Sequence, residues 1–263
     1  MDGLDSGTQA VPQERLVAIA ARNNAEWCET ICGLHRIAGE FEEDAWASGA
    51  RTPEHYPDAV TLRRGVDAAR LLSRVDASSG CSIKDSFADL DLMPWRFGRL
   101  FEAAWIHRPA LPAVGGAAAA DLEPIRGQAT LTAWERAWRH GATGRPVFLP
   151  DLLDRDDVVV LAARKADSIV AGAILSLGAG AVGLSNLFAV GTDLTSAFVG
   201  ASSVAARLFP RIPIVGYESG PLLDAAEQAG FVRVGRLVVW GPGNDVVESS
   251  AGNDTIYGRG GER

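Results

Sequence analysis

Cysteine is scarce and odd in number. Cys28, Cys32 and Cys81 are the three in 263 residues, which excludes a disulfide framework and suggests reduced thiols. Cys28 and Cys32 stand one helical turn apart with no His or carboxylate set to complete a metal site, so they read as buried thiols and no metal is expected. An uncharged apolar run of about 18 residues, the length that spans a bilayer, is also missing. Residues 168–190 come nearest, and the glycines and alternation there fit hairpin strands better. Basic runs are absent: 33 Asp and Glu outnumber 25 Lys and Arg, for a net charge of −8. That balance argues against nucleic acid as the main partner. Asp2 and Asp5 carry the wrong charge for a secretory signal. A cytoplasmic protein with a small-molecule partner is expected, as a monomer or a homodimer. The 47% of hydrophobic residues are enough for one large core or two small ones.

In the first half, Leu16, Ile19, Ala20, Trp27, Ile31 and Leu34 recur at three and four, predicting a helix over 14–36. Asn23 and Asn24 interrupt its stripe. Their amides compete for backbone groups mid-helix, so they either tie down a loop or contact a ligand. Residues 41–58 (FEEDAWASGARTPEHYPD) read as a loop in which Trp46, Arg51 and Tyr56 are candidates for a substrate lid; anchoring by Trp46 is the plain alternative. Strands are predicted at 59–63, 81–87 and 100–107, with a helix at 66–75. Lys84 and Asp85 point to opposite faces of the 81–87 strand. The inward one needs a partner, as an ion pair or as a ligand contact. Residues 109–121 (PALPAVGGAAAAD) read as a linker. The expected organisation is an N-terminal α/β unit over 1–108, this linker, a second unit over 122–241, and a polar tail over 242–263. The tail's GNDTIYGRGG is similar to a calcium-binding nonapeptide repeat, but a repeat fold needs about three copies.

The second half carries the stronger pattern. A helix is predicted at 131–140. Apolar runs at 158–162, 169–177 and 181–190 are separated by Lys165-Ala166-Asp167 and Gly178-Ala179-Gly180, predicting an antiparallel meander. A helical stretch to 208, a strand at 212–217, a helix at 222–229 and a strand at 232–240 follow. Strand–helix–strand favours a parallel pair between 181–190 and 212–217.

This order, with Gly230-Phe231 between a short helix and a strand and Asn186-Leu187-Phe188-Ala189-Val190 ending another strand, resembles the GNAT superfamily of acyl-coenzyme A-dependent N-acyltransferases. The segments SNLFA, GYE and AGF are similar to a group of actinobacterial GNAT-like proteins. The resemblance implies a mixed α/β fold: a GNAT-like sheet flanked by helices, with a smaller N-terminal half that could itself be GNAT-derived. It implies acetyl-CoA or another acyl-CoA as co-substrate, with the backbone of Leu187, Phe188, Ala189 and Val190 pairing to the pantetheine arm. Thr195 and Ser196 are candidates for the diphosphate, although Asp193 and Phe198 stand where the family has Arg or Gln and glycine. Asn186 joins Trp46, Arg51, Tyr56, Lys84 and Asp85 as a candidate for substrate contact.

The strand that often bears the family's catalytic carboxylate offers Ser185 and Asn186. The resemblance implies that the 181–190 and 212–217 strands splay apart, and Glu218, at the mouth of that splay, is the substitute base. Tyr217 precedes it, and alternation lets one of the two face the cleft. The family's acidic Tyr corresponds to Ala226. Two functions follow: transfer of an acyl group to a small amine, or a GNAT-like domain that binds without acyl transfer or uses its cleft for chemistry independent of coenzyme A.

Overall fold

The computed structural model describes residues 12–110 and 120–243. The tail's repeat-like segment and most of the 109–121 linker lie outside them. Helix α1 (Gln13–Leu34) leads into short strands β1 (Glu40–Phe41), β2 (Ala45–Ala47) and β3 (Ala59–Thr61), helix α2 (Ala68–Leu72), β4 (Ile83–Asp85) and the long β5 (Phe97–Arg108). The second half runs β6 (Glu123–Pro124), α3 (Gln128–Trp138), β7 (Val158–Lys165), β8 (Ser168–Gly178), β9 (Ala181–Ala189), α4 (Leu194–Leu208), β10 (Ile214–Glu218), α5 (Gly220–Gln228) and β11 (Val232–Pro242).

The predicted meander β7–β8–β9 is antiparallel. Its second turn is the two residues Ala179 and Gly180, with φ of 49° and 73°, the left-handed pair that matches the twist of a hairpin. The parallel pair is present too, Ile214 opposite Val182 and Val215 opposite Gly183.

All the strands join one mixed eleven-stranded sheet in the order β1-β2-β3-β4-β11-β5-β10-β9-β8-β7-β6. Apart from β6 at one edge, the order reads alike from both ends. A meander (β1–β2–β3, β7–β8–β9) is followed by a helix and a parallel strand (β4, β10). Each parallel strand then pairs antiparallel with the last strand of the opposite half: β4 with β11, and β10 with β5. The halves on either side of 109–121 therefore exchange their long closing strands, and β5 and β11 pair down the centre. Burying one half's backbone ladder requires the other.

Helices cover both faces. On one, α4 and α5 pack Ala197, Phe198, Ala201, Leu223 and Ala226 against Leu175, Leu184 and Ile214. On the other, α3 sets Trp134 against Ile174 and Phe188, and α1 lays Val17, Ala20 and Ala21 over Trp105, Val215 and Leu237. Asn23 fixes the height of α1. Its Nδ2 contacts the carbonyls of Ser176, Gly178 and Ala181 at 3.0–3.3 Å, tying the helix to the β8–β9 hairpin.

Candidate functional site

Two adjacent strands part beside each other's ends. β10 pairs with β5 at every residue from Ile214 to Glu218 but with β9 only through Val215. The cause is local to β9. Ser185 opposes Ile174 and Phe188 opposes Gly172, so Asn186 and Leu187 share the place of one residue opposite Ala173. Asn186 takes a left-handed φ of 53° to make this bulge, which bends the strand and shifts its side-chain phase. Leu187 accordingly joins the α4 face and Phe188 the α3 face. Just past the last pair the strands still run close: a Cβ on Gly216 would stand 2.7 Å from the Leu184 carbonyl oxygen. Beyond Gly183 the β9 edge that faces β10 has no ladder partner among the described residues.

A cavity of about 440 Å³ opens at this gap. It is lined by Ser185 to Gly191 of β9 and the turn after it, by Gly216, Tyr217 and Glu218, by Asn23, Asn24, Trp27 and Cys28 of α1, and by His55, Tyr56 and Lys84. Successive residues of a strand point to opposite faces. The Tyr217 ring lies on the α1 side, 5.5 Å from Trp105 centroid to centroid, so Glu218 points to the side of α5. The cavity borders both and therefore runs through the sheet by way of the gap.

Glu218 is 6% exposed. Burial alone pushes its carboxyl up to about 8, with no cation among the described residues to offset it. Lys84 is equally deep, 3% exposed. Its Nζ donates to Asn24 Oδ1 at 2.7 Å and sits 4.1 Å from the centroid of the Tyr217 ring, a cation–π contact. The ion pair expected as one fate of Lys84 is not formed among the described residues. The hydroxyl of Ser185 and the Oδ1 of Asn186 are buried without a hydrogen-bond partner among them, and the Tyr56 hydroxyl faces the side chains of Trp27 and Asn186 without a hydrogen bond of good geometry. Burial also raises the Tyr56 phenol well above its ordinary range and the Cys28 thiol to about 11, and lowers His55.

Of the residues singled out in the sequence, Tyr56, Lys84, Asn186, Leu187, Phe188, Ala189, Val190, Tyr217 and Glu218 meet at this cavity. Trp46, Arg51, Asp85, Thr195 and Ser196 are not among its lining residues. Trp46 lies in β2, fully buried, its indole N–H donating to Glu29 Oε2 at 2.7 Å. Arg51 holds its own loop, donating to Asp58 Oδ2 at 2.7 Å and to carbonyls of Asp76 and Ser78. Asp85, facing away from Lys84, accepts from the backbone amides of Phe87, Asp89 and Leu90. Asn24, for which the sequence offers a ligand contact as one of two readings, also lines the cavity, with Trp27 and Cys28, to which it assigns no catalytic or binding role.

The N-terminus of α4, next to the cavity at Leu194, is capped by an acid. Asp193 accepts from the Ser196 amide at 2.7 Å, and that bond holds its carboxyl below the usual range. Thr195 Oγ1 donates to Gln228 Oε1 at 3.1 Å. Phe198, a large side chain where the family has glycine, does not crowd the gap. It is not among the lining residues and lies fully buried one helical turn beyond Leu194, against Phe231 at 5.7 Å.

Solved structures share this architecture. A GCN5-related N-acetyltransferase from Kribbella flavida aligns over 85% of this chain and 95% of its own, with a TM-score of 0.54 and 14% identity. An acetyltransferase of the GNAT family from Novosphingobium aromaticivorans DSM 12444 aligns over 82% and 96%, with a TM-score of 0.53 and 11% identity. No protein-family profile and no curated protein matches the chain. At these identities the likeness is one of fold: this chain has the mixed, helix-flanked sheet of GNAT acetyltransferases.

Proposed function

We propose that the cavity is an acyl-transfer site, using an acyl-CoA thioester to acylate a small amine. One observation carries the reading: a buried, unpaired carboxylate, Glu218, stands where β10 has lost β9 as a neighbour. The free backbone edge over 184–190 suits the amides of a pantetheine arm, which would complete the ladder that β10 abandons. The α4 N-terminus suits the diphosphate less well. Its Ser196 amide already serves Asp193, whose charge repels phosphate. The chain thus fits the donor's slender arm and lacks a glycine-rich cradle for its nucleotide end.

Bound there, an acyl-CoA supplies the acyl group as an activated thioester. Glu218 would then be the base: its carboxylate accepts the proton that the amine sheds as nitrogen bonds to the acyl carbon and the carbon–sulfur bond breaks, its electron pair leaving on coenzyme A as the thiolate. A base raised to about 8 matches an amine better than an ordinary carboxylate would. The gap itself orients the two reactants, one in the slot between strands and one at its mouth.

The acidic cap at Asp193 favours a second reading, a GNAT-fold protein that binds a ligand without acyl transfer. Calorimetry with acetyl-CoA separates the two, followed by turnover of the Glu218→Gln variant with a panel of amines. Micromolar to submillimolar binding, with turnover that drops at least 100-fold in the variant, is expected from the loss of a general base. Absence of binding at millimolar acetyl-CoA would sink the transferase reading.

A further inference from the structure

The α1 side of the cavity holds a cation with no counter-ion among the described residues. Lys84 Nζ has an amide oxygen, Asn24 Oδ1, as hydrogen-bond acceptor and an aromatic face, Tyr217, beside it. Both partners are neutral. An ammonium taken out of water ordinarily finds an anion, and it has three donors to place. Asn24 takes one. The buried polar atoms that line this cavity are Ser185 Oγ and Asn186 Oδ1, without a partner, and Tyr56 Oη, which has the side chains of Trp27 and Asn186 beside it but no hydrogen bond of good geometry. They come from separate parts of the chain: the loop before β3, and two adjoining residues at the bulge of β9. A cavity that gathers one unpaired cation with a group of unsatisfied hydroxyl and amide atoms is incomplete without a polar ligand. Glu218 borders the same cavity across the gap and forms no ion pair with Lys84 among the described residues.

We infer that the acyl acceptor carries a carboxylate, held by Lys84 with the Tyr56 and Ser185 hydroxyls as further donors, while its amine lies at the gap, where the Asn186 Oδ1 is an acceptor for it: the acceptor is an amino acid or a similar amino-carboxylate. The inference rests on the transfer reading for the amine, but not for the carboxylate. One lysine balances a monoanion. A phosphate dianion would call for further cations or a planar arginine fork, and Arg139, which also lines the cavity, is committed to Glu135, Glu54 and the Arg145 carbonyl.

The test pairs L-α-amino acids, β-alanine and γ-aminobutyrate with their own amides, using acetyl-CoA as donor and thiol release as readout. Wild type should favour at least one acid over its amide by about 100-fold in kcat/KM, since a site built for a buried ionic contact rejects the analogue lacking it. The Lys84→Met variant, of similar length and uncharged, should lower that ratio to within a few-fold, with the loss residing in the KM of the acid. A thermal melt checks that the variant folds; if it does not, the wild-type ratio alone decides. Amides used as well as acids, or a preference that survives in Lys84→Met, overturns the inference and leaves acyl transfer standing. If nothing is acylated, calorimetric titration of the same acids and amides into the free protein decides. Acids bound in preference to amides, in wild type only, keep the carboxylate site while the transfer reading falls; no such preference overturns the inference.

Discussion

Replacing Glu218 by Gln should change how the protein's stability depends on pH. The carboxyl has an ordinary value of 4.5 and is raised by burial to about 8 in the fold. The folded state therefore holds this proton more tightly than the unfolded state does. Below pH 4.5 the group is protonated in both and contributes no pH dependence. Between 4.5 and 8 the unfolded state ionises while the folded state resists, so stability falls as pH rises. Above 8 the full penalty is present. A shift of some 3.5 units, at about 1.4 kcal/mol each, is worth roughly 5 kcal/mol at its limit. Glutamine keeps the shape and stays neutral. The difference in unfolding free energy between Glu218→Gln and wild type should therefore grow by several kcal/mol from pH 5 to pH 9, in favour of the variant. Urea denaturation at pH 5, 7 and 9 reads it directly, and comparing the two proteins cancels other titrating groups. Parallel stability curves would refute the reasoning, because they would mean that Glu218 reaches water or a cation in solution. The same value has a kinetic consequence. With only about a tenth of Glu218 ionised at pH 7, kcat/KM should climb with pH to a plateau above 8, a limb that disappears in the variant.

Two further changes test neighbouring parts of the argument. Asp193→Asn keeps a capping oxygen and removes the charge at the α4 N-terminus; acetyl-CoA should bind about 3- to 10-fold tighter, the gain shrinking at high salt. Calorimetry at two ionic strengths checks this, and an unchanged dissociation constant would place the diphosphate elsewhere. Asn23→Ala strips the β8–β9 hairpin of the side-chain donor to three carbonyls and should cost about 2–3 kcal/mol in urea unfolding; a loss below about 0.5 kcal/mol would show that α1 is held by its apolar face alone.

The second half of the fold is legible because its residues obey local rules. Two-residue turns after Lys165 and Gly178 set the meander, and the change from alternation to helical period after Val190 announces the crossover. Strands β1, β2 and β6, two or three residues long, are too short to show a period, so 41–58 reads as a loop and Trp46 as part of a lid. The exchange of β5 and β11 between halves is set by pairings more than a hundred residues apart in the chain, which no local pattern encodes. The gap near Asn186 and Tyr217 is expected from the sequence, but its cause is not. A bulge is one residue among nine in β9, and it shows in the register against β8 and the left-handed φ of Asn186, not in the sequence pattern. Alternation requires one of Lys84 and Asp85 to turn inward and find a partner, and both are buried. What the sequence could not supply is that Asn24, sixty residues before Lys84, would be its partner and leave its charge unmatched.

The near-symmetry of the sheet makes the character of Glu218 clearer. Asp85 and Glu218 are both buried carboxylates that end the strand following a crossover helix, β4 in one half and β10 in the other. Around Asp85 the chain turns back and offers the amides of Phe87, Asp89 and Leu90. Burial raises its carboxyl and those amides offset part of the rise, so its oxygens brace a turn. The adjoining Ser86 amide is taken by Thr61 Oγ1 at 2.8 Å, binding the end of β4 to β3. At Glu218 the chain instead leaves through Ser219 and Gly220, the latter with a φ of 52°, into α5. Among the described residues no amide donates to the carboxylate, and β9 has bent away. Two like groups at comparable ends of one sheet therefore differ in a single respect, the supply of donors. A carboxylate already satisfied by its own backbone gains little from a proton or a ligand. One that is buried without any donor gains from either, and so it is the group in this sheet suited to receive a proton from a bound amine.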